Sequence, residues 1–222
     1  MKQYLSILTL LVHSSIYKLC ILLAGVAAVH TLLFSLWSSR ILVMMPLFAA
    51  GLWILIWILT RNWVETSSRQ SYTLQRLSLS ERNIVLLQTI YNLFCLLLFW
   101  GAHLITACLL YSRICTGSQD LFLEFSGNAY LHSLMPGADW LSWLKNLFVL
   151  TSTAFSMALY PSWKRNSMKK DNGIMLFLIG WWVVAFFIDS MNISQIFLAL
   201  FWSIYIPVLM IRDIKNKEAE KI

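Results

Sequence analysis

Charged residues are scarce in this chain of 222 residues, because only 12% of them are Asp, Glu, Lys or Arg, against about a quarter in soluble domains. Hydrophobic residues make up 59% and aromatic residues 14%. A soluble fold of this size needs enough charge on its surface to stay dispersed, and it cannot bury this much apolar side chain. The composition excludes soluble enzymes and disordered proteins, and it indicates a protein of the lipid bilayer.

Motifs that carry chemistry are also lacking. The four cysteines form no CxxC pair, so neither a metal site nor a disulfide framework is predicted. The sequence contains no HExxH, no GxSxG and no cluster of paired carboxylates, which are the patterns of metalloproteases and acyl-transfer enzymes. The chain also lacks a GxxxxGK[ST] phosphate loop, so it has no ATP site of that kind. We predict that this chain is not an enzyme and holds neither a metal nor a cofactor.

Long runs without charge indicate membrane-spanning helices. A helix crosses ~30 Å of hydrocarbon with ~20 residues, and the strict alternation of a β-barrel is missing. The sequence predicts one all-α integral membrane domain over 1–222, with six transmembrane helices. The predicted spans are 17–39, 41–60, 83–112, 140–163, 172–189 and 193–211.

The distribution of Lys and Arg among the loops predicts the orientation. Alternate loops place 14 of these residues on one side and only Arg40, Arg113 and Lys145 on the other. Cytoplasmic loops carry the excess of basic residues, so both termini are predicted to be cytoplasmic. The net charge of +7 is explained by this topology, and no nucleic-acid partner is expected.

The first 16 residues are predicted to form an interfacial amphipathic helix that precedes the spans. A polar stripe at helical spacing lies opposite a leucine-rich face; the stripe consists of Lys2, Ser6, Thr9 and His13. The alternative is that these residues simply extend the first span.

The extracytoplasmic segment 113–139 is too apolar for a free loop. It predicts a short helix or a re-entrant segment packed over the mouth of the bundle. Asp139 is expected to cap the fourth span just before Trp140.

A few polar residues inside the spans are candidate pathway-lining groups: His30, His103, Thr151, Ser152 and Ser156. The two histidines lie at matched depth, so a haem held between them is an alternative, which would make the chain a membrane redox subunit. The hydroxyl groups could instead bond their own helix carbonyls. Because ionisable groups are otherwise nearly absent from the spans, ion-coupled transport is disfavoured.

The cytoplasmic segment 61–82 is longer than a hairpin between two helices requires. Its residues fall in a recognisable order, with an early Glu, a Thr-Leu pair and a Leu-Ser-Leu-Ser turn before the next span, including Glu65, Arg69, Thr73, Leu74, Leu77, Ser78, Ser80, Arg82 and Ile84. In this order the segment resembles that of the type-2 permeases of ATP-binding-cassette exporters. The N-terminal helix, the six spans and the cytoplasmic termini resemble the architecture of that family.

The resemblance implies a permease subunit that moves an amphipathic or hydrophobic substrate across the cell membrane, of the bacterial inner-membrane type. ATP and Mg²⁺ would bind a separate ATPase subunit, and a second permease would complete a homo- or heterodimer. The residues that would couple to the ATPase are Glu65, Arg69, Tyr72, Leu74, Arg76, Leu77, Ser80, Glu81 and Arg82. The other functions left open are the haem-binding redox subunit and a non-transporting membrane scaffold or sensor.

Overall fold

A computed structural model of the chain describes residues 2–36, 40–64, 81–113, 118–127, 129–135, 137, 139–166, 178–180 and 193–219. Within these ranges the chain is all-helical and contains no strand. Five long helices are present: α1 (Lys2–Leu36), α2 (Arg40–Val64), α3 (Glu81–Tyr111), α6 (Trp140–Asn166) and α7 (Ile193–Ala219). Two short helices lie between α3 and α6, namely α4 (Ser118–Gly127) and α5 (Ala129–Leu134). The predicted all-α class is therefore confirmed.

Three of the described helices are long and apolar enough to cross a membrane. Their apolar stretches are Ser15–Phe34 of α1, Arg82–Tyr111 of α3 and Ile196–Lys215 of α7. A shorter apolar stretch, Met44–Thr60, lies in α2. Large hydrophobic side chains such as Leu86, Ile105 and Phe201 are exposed on the outside of the bundle, where lipid would surround them. The chain is a helical membrane protein.

The predicted break after residue 16 is absent, because α1 is one continuous helix of 35 residues. No Gly or Pro precedes Gly25 in it, so nothing in this part of the sequence ends the helix. Leu11, Ser15 and Leu19 form a buried stripe at a spacing of four residues, and this stripe packs against the bundle. The first residues are therefore continuous with the helix of the first span, whose apolar stretch begins at Ser15.

The polar residues Thr9, His13 and Lys18, in the first half of α1, are exposed. Thr9 and His13 are exposed, as the predicted polar stripe requires, whereas the side chains of Lys2 and Ser6 lie outside the described residues. Lys18 was expected at the inner end of a span that begins at residue 17, but it lies near the midpoint of α1, where it is exposed.

Contacts between helices give the direction of each long helix. The contacts advance in the same sense along α1 and α3, in the pairs Ser15–Tyr91, His30–His103 and Phe34–Tyr111. Between α1 and α2 the contacts run in opposite senses, in the pairs Val26–Gly51 and His30–Met44. Between α3 and α6 they also run in opposite senses, in the pairs Asn92–Ala154 and Trp100–Trp143. Helices α1 and α3 thus run one way, while α2 and α6 run the other way.

The last long helix breaks this alternation. Ser152 of α6 donates a hydrogen bond to the Ser203 carbonyl of α7, and the Trp163 indole donates to the Asp213 carboxylate over 3.1 Å. Both contacts advance in the same sense, so α6 and α7 are parallel. The start of α1 and the end of α7 consequently lie at the same end of the bundle, which is also the end where α2 stops and α3 begins.

The fifth predicted span, 172–189, lies outside the described residues except for the helical residues 178–180. Ile179 and Gly180 are buried there, and a Cβ on Gly180 would meet the Trp53 ring of α2 at 2.7 Å. This short piece therefore packs closely against the middle of α2.

The segment 113–139 contains the short helices that its apolar composition predicts. Phe125 of α4 and Tyr130, Leu131 and Leu134 of α5 are buried, and the Phe125 ring meets the edge of Tyr111 at the end of α3. Helices α4 and α5 are thus packed onto the bundle end opposite the chain termini.

Helix α6 begins where the capping residue predicts. The Leu141 N–H donates to one Asp139 carboxylate oxygen at 3.2 Å, and the Ser142 hydroxyl donates to the other at 2.6 Å. These bonds satisfy the first turn of the helix and hold the pKa of Asp139 below its usual value, chiefly through the Ser142 hydroxyl.

Candidate functional site

Two histidines that the sequence placed at matched depth are in direct contact. His30 of α1 and His103 of α3 are 1% and 3% exposed, and their ring centroids lie 4.5 Å apart at an interplanar angle of 55°. The parallel packing of α1 and α3 brings them together. This pair, His30 and His103, is the candidate functional site.

Tyr130 of the short helix α5 completes the polar part of this site. Its hydroxyl lies 2.6 Å from His103 Nε2 and donates to the Met44 carbonyl of α2 at 3.4 Å. Burial raises the pKa of Tyr130 well above its usual value, so the hydroxyl keeps its proton. One tyrosine from the outer segment therefore connects the histidine pair to α2.

Because Tyr130 has a single proton, it can donate only one of these two hydrogen bonds. If the hydroxyl donates to the Met44 carbonyl, its oxygen must accept a hydrogen bond from His103 Nε2–H. His103 is then the Nε2–H tautomer, and its Nδ1 presents a lone pair.

Aromatic rings enclose the histidine pair. The Phe48 ring of α2 lies 4.6 Å from the His103 ring, and the Phe99 ring stacks below it at 6.5 Å. Gly51, one turn along α2 from Phe48, has room for no side chain, because a Cβ there would meet the Phe99 ring at 2.7 Å. The surroundings are consequently tight and apolar.

Three ring nitrogens in this enclosure lack a hydrogen bond within the described part of the chain: Nδ1 and Nε2 of His30 and Nδ1 of His103. The Met44 backbone of α2 lies beside the His30 ring. Buried polar groups in proteins are almost always paired, so three such atoms at one place distinguish the site from ordinary core packing.

The geometry does not suit a haem held between the two rings. Axial histidines project from opposite faces of the macrocycle, and with metal–nitrogen bonds of about 2 Å their ring centroids would lie about 6 Å apart. At 4.5 Å the two rings pack directly against each other, so the structure does not favour the redox-subunit alternative.

The predicted hydroxyl groups of α6 do not join this site. Thr151 is exposed and bonds the Leu147 carbonyl of its own helix at 2.7 Å. Ser156 bonds the Ser152 carbonyl at 2.9 Å, and Ser152 bonds α7. These hydroxyl groups satisfy helix backbones, which is the common role of Ser and Thr in membrane helices.

The predicted coupling residues lie mostly outside the described residues. Those outside are Glu65, Arg69, Tyr72, Leu74, Arg76, Leu77 and Ser80. Glu81 and Arg82 are the first residues of α3, where Arg82 is exposed.

Several buried polar residues were not singled out from the sequence. Tyr130 lies in a mostly apolar segment of the sequence, and its contact with the histidine pair becomes visible only in the folded structure. Lys145 was counted with the outer loops, yet it is 1% exposed within the first two turns of α6. Gln88 and Asn92 are buried on α3, where the Asn92 amide donates to the Ala154 carbonyl of α6 at 3.3 Å. The sequence did contain a signal for Gln88 and Asn92, because an amide side chain within an otherwise apolar span usually hydrogen-bonds a neighbouring helix.

Comparison of the chain with known protein families, curated proteins and solved structures gives no match.

Proposed function

We propose that this chain is the transmembrane permease subunit of an ATP-driven exporter. It would move an amphipathic or hydrophobic substrate across the cell membrane, together with a second permease and a separate ATPase that binds ATP and Mg²⁺. The observation that carries the proposal is the arrangement of helix directions, which brings the start of α1, the end of α2, the start of α3 and the end of α7 to one end of the bundle.

The parallel packing of α6 and α7 supports six crossings. Helix α7 starts at the same end of the bundle as α6, although α6 finishes at the opposite end. The chain between Asn166 and Ile193 must therefore return along the length of α6, which is about 40 Å at 1.5 Å per residue. The predicted fifth span over 172–189 would provide this return.

The charges at the two ends support a cytoplasmic position for the termini. Arg82, Lys164, Arg212 and Lys215 lie at the end that contains the chain ends, whereas α4 and α5 carry Asp120 and Glu124 at the other end. By the positive-inside rule, the basic end faces the cytoplasm. The segment 61–82 would then face an ATPase in the cytoplasm.

The kinds of side chain that are buried in the described residues support a source of energy outside this chain. Within the described ranges, no buried side chain is an Asp or a Glu, and carboxylates are the usual carriers of protons and cations in coupled transporters. The energy for transport would therefore come from ATP hydrolysis by the partner.

The decisive experiment replaces two apolar residues of the coupling segment, Tyr72→Ala with Leu77→Ala. Loss of such anchors costs an interface ~1 to 3 kcal/mol or more, which weakens ATPase association about tenfold to hundredfold. The measurements are ATPase co-purification and substrate-stimulated ATP hydrolysis. The matched control is Tyr17→Ala with Leu141→Ala, which removes the same side chains from exposed positions of α1 and α6 and leaves docking unchanged.

A charge variant separates the polar from the apolar part of the interface. Arg76→Glu should weaken docking most at low salt, because electrostatic interactions at an interface rim are screened over ~8 to 10 Å at ordinary ionic strength. Unchanged docking and turnover in both folded variants, or the absence of any co-purifying ATPase, would contradict the proposed function.

A further inference from the structure

We propose that helix α4 binds a zwitterionic lipid surface at its end of the bundle, with Phe122 and Leu123 at the boundary between headgroups and acyl chains. The helix lies flat on the bilayer, next to the point where α3 ends. This position of α4 is independent of the exporter function, because it concerns only where the helix lies relative to lipid.

The side of α4 that packs on the bundle carries Phe125. This side chain is buried, and its ring meets the edge of the Tyr111 ring with the centroids 6.0 Å apart. Tyr111 is the last residue of α3 and of its apolar stretch. Because a span leaves the hydrocarbon where its apolar stretch ends, α4 lies at the level of the membrane surface.

The two flanks of α4 differ in character. A helix turns by about 100° per residue, so Phe122 and Leu123 lie on one flank of the line through Phe125. Asp120 and Glu124 lie on the other flank. All four side chains are exposed, and Phe122 and Leu123 keep 63% and 64% of their surface. An apolar flank beside a charged one is the pattern of a helix that lies flat at a lipid surface.

The start of α6 gives a second, independent marker of the membrane surface. Trp140 is the first residue of that helix, and 66% of its surface is exposed. Tryptophan is enriched where helices leave the hydrocarbon, because its ring is apolar while its N–H needs a polar partner. The part of the chain that contains α4 therefore begins and ends at the level of the surface.

Lipid already surrounds the last turns of the helix on which α4 is packed. Ile105 and Leu109 of α3 are exposed on the outside of the bundle, where the hydrocarbon meets them. A lipid surface is consequently within reach of the flank with Phe122 and Leu123. Placing these two side chains in it removes apolar area from water.

The charge of α4 selects the kind of lipid. Its ten residues include Asp120 and Glu124 but no Lys, Arg or His. Anionic headgroups would repel these carboxylates. A zwitterionic headgroup such as phosphatidylcholine does not, because its outermost group is a cation.

The test uses nitroxide spin labels on single cysteines in the full chain, without its native cysteines and reconstituted into phosphatidylcholine vesicles. Labels on Phe122→Cys and Leu123→Cys should collide severalfold more often with oxygen, which concentrates in lipid, than with a water-soluble nickel complex. Asp120→Cys and Glu124→Cys are the matched controls on the acidic flank, and their labels should show the reverse preference.

A label at Gln119 keeps the test independent of changes to the two apolar side chains. Gln119 is exposed and lies between Phe122 and Leu123 around the helix, so a label on Gln119→Cys should report lipid. Phe122→Ser with Leu123→Ser should move this label into water, whereas Asp120→Asn with Glu124→Gln should leave it in lipid.

Vesicles with added phosphatidylglycerol test the choice of lipid. At low salt the anionic headgroups should lower the contact of the Gln119→Cys label with lipid, and the variant without the two carboxylates should not show this effect. Equal contact in both kinds of vesicle would overturn the assignment to a zwitterionic surface.

Two results would overturn the binding of α4 to lipid. Labels at 122 and 123 that meet the nickel complex as often as those at 120 and 124 would place both flanks in water. Labels that neither reagent reaches would place the apolar flank against protein, and spin–spin broadening that disappears on dilution with unlabelled chain would identify a second copy as the occupant. None of these measurements involves an ATPase, so failure here leaves the exporter proposal unaffected.

Discussion

At the scale of single residues, Asp139 shows how one side chain can set the start of a long helix. Gly137, with φ of +60°, turns the chain just before it, and the Trp143 indole donates to the Gly137 carbonyl at 3.2 Å. The carboxylate then accepts from Leu141 and Ser142 in the first turn of α6. The outer segment and α6 are thereby joined in a defined geometry.

We predict that Asp139→Ala lowers the free energy of unfolding by about 0.5–2 kcal/mol, the usual cost of losing such a cap. The pKa of Asp139 is lowered from 3.8 in the folded protein, so the stabilisation is present above the ordinary pKa and is lost as the pH falls through the folded value. Thermal unfolding in detergent at several pH values measures both effects.

Asp139→Asn is the matched variant, because an asparagine oxygen can still accept from the first turn. It should retain most of the stability while losing the dependence on pH. An alanine variant as stable as wild type at neutral pH would show that the cap contributes nothing.

At the scale of elements, close approach between α1, α2 and α3 depends on Gly51. Its missing side chain lets the Phe99 ring of α3 and Val26 of α1 approach the backbone of α2, since an added Cβ would lie 2.7 Å and 3.1 Å from them. Small residues commonly allow membrane helices to pack in this way. The same contact holds Phe48 and Phe99 against the histidine pair.

We predict that Gly51→Ala destabilises the bundle by about 1–3 kcal/mol, the range for overpacking a filled core. Gly25→Ala is the control, because no atom lies within 4 Å of a Cβ at that exposed position of α1. Unfolding of both variants in detergent compares them directly. Equal stability of the two variants would contradict the prediction, because it would show that the helices can move apart at Gly51 at little cost in free energy.

At the scale of the whole molecule, the helix directions define which parts of the chain share one side of the membrane. They place the start of α1, the end of α2, the start of α3 and the end of α7 together, opposite α4 and α5. Arg82, Lys164, Arg212 and Lys215 lie at the first of these ends, whereas Arg113 and Lys145 lie nearer the other.

We predict that cysteines introduced for Arg82 and Lys215, in a background without native cysteines, react only with reagent supplied from the cytoplasmic side. Cysteines introduced for Arg113 and Asp120 should react from the outside, because α4 and α5 lie at the other end of the bundle. A membrane-impermeant maleimide applied to intact cells and to inverted vesicles makes the measurement. Labelling of Arg82→Cys and Lys215→Cys from opposite sides would contradict the parallel arrangement of α6 and α7.

The sequence by itself determined the features that depend on local composition. Charge-free runs located the long helices, Asp139 marked the start of α6, and the apolar outer segment predicted short packed helices. Each of these follows from neighbouring residues, because hydrogen bonds within a helix and transfer into lipid are local effects. The helix continues through residue 16, because a polar stripe alone does not end a helix.

Only the tertiary structure decided which residues meet across the bundle. His30 and His103 lie far apart in the chain, and their contact depends on α1 and α3 packing in parallel at one particular register. Tyr130 joins them because α5 folds back over the bundle end, and Lys145 is buried because its side of α6 faces the interior. Such contacts require the packing of several helices at once, and side-chain spacing along one helix carries no information about its partner.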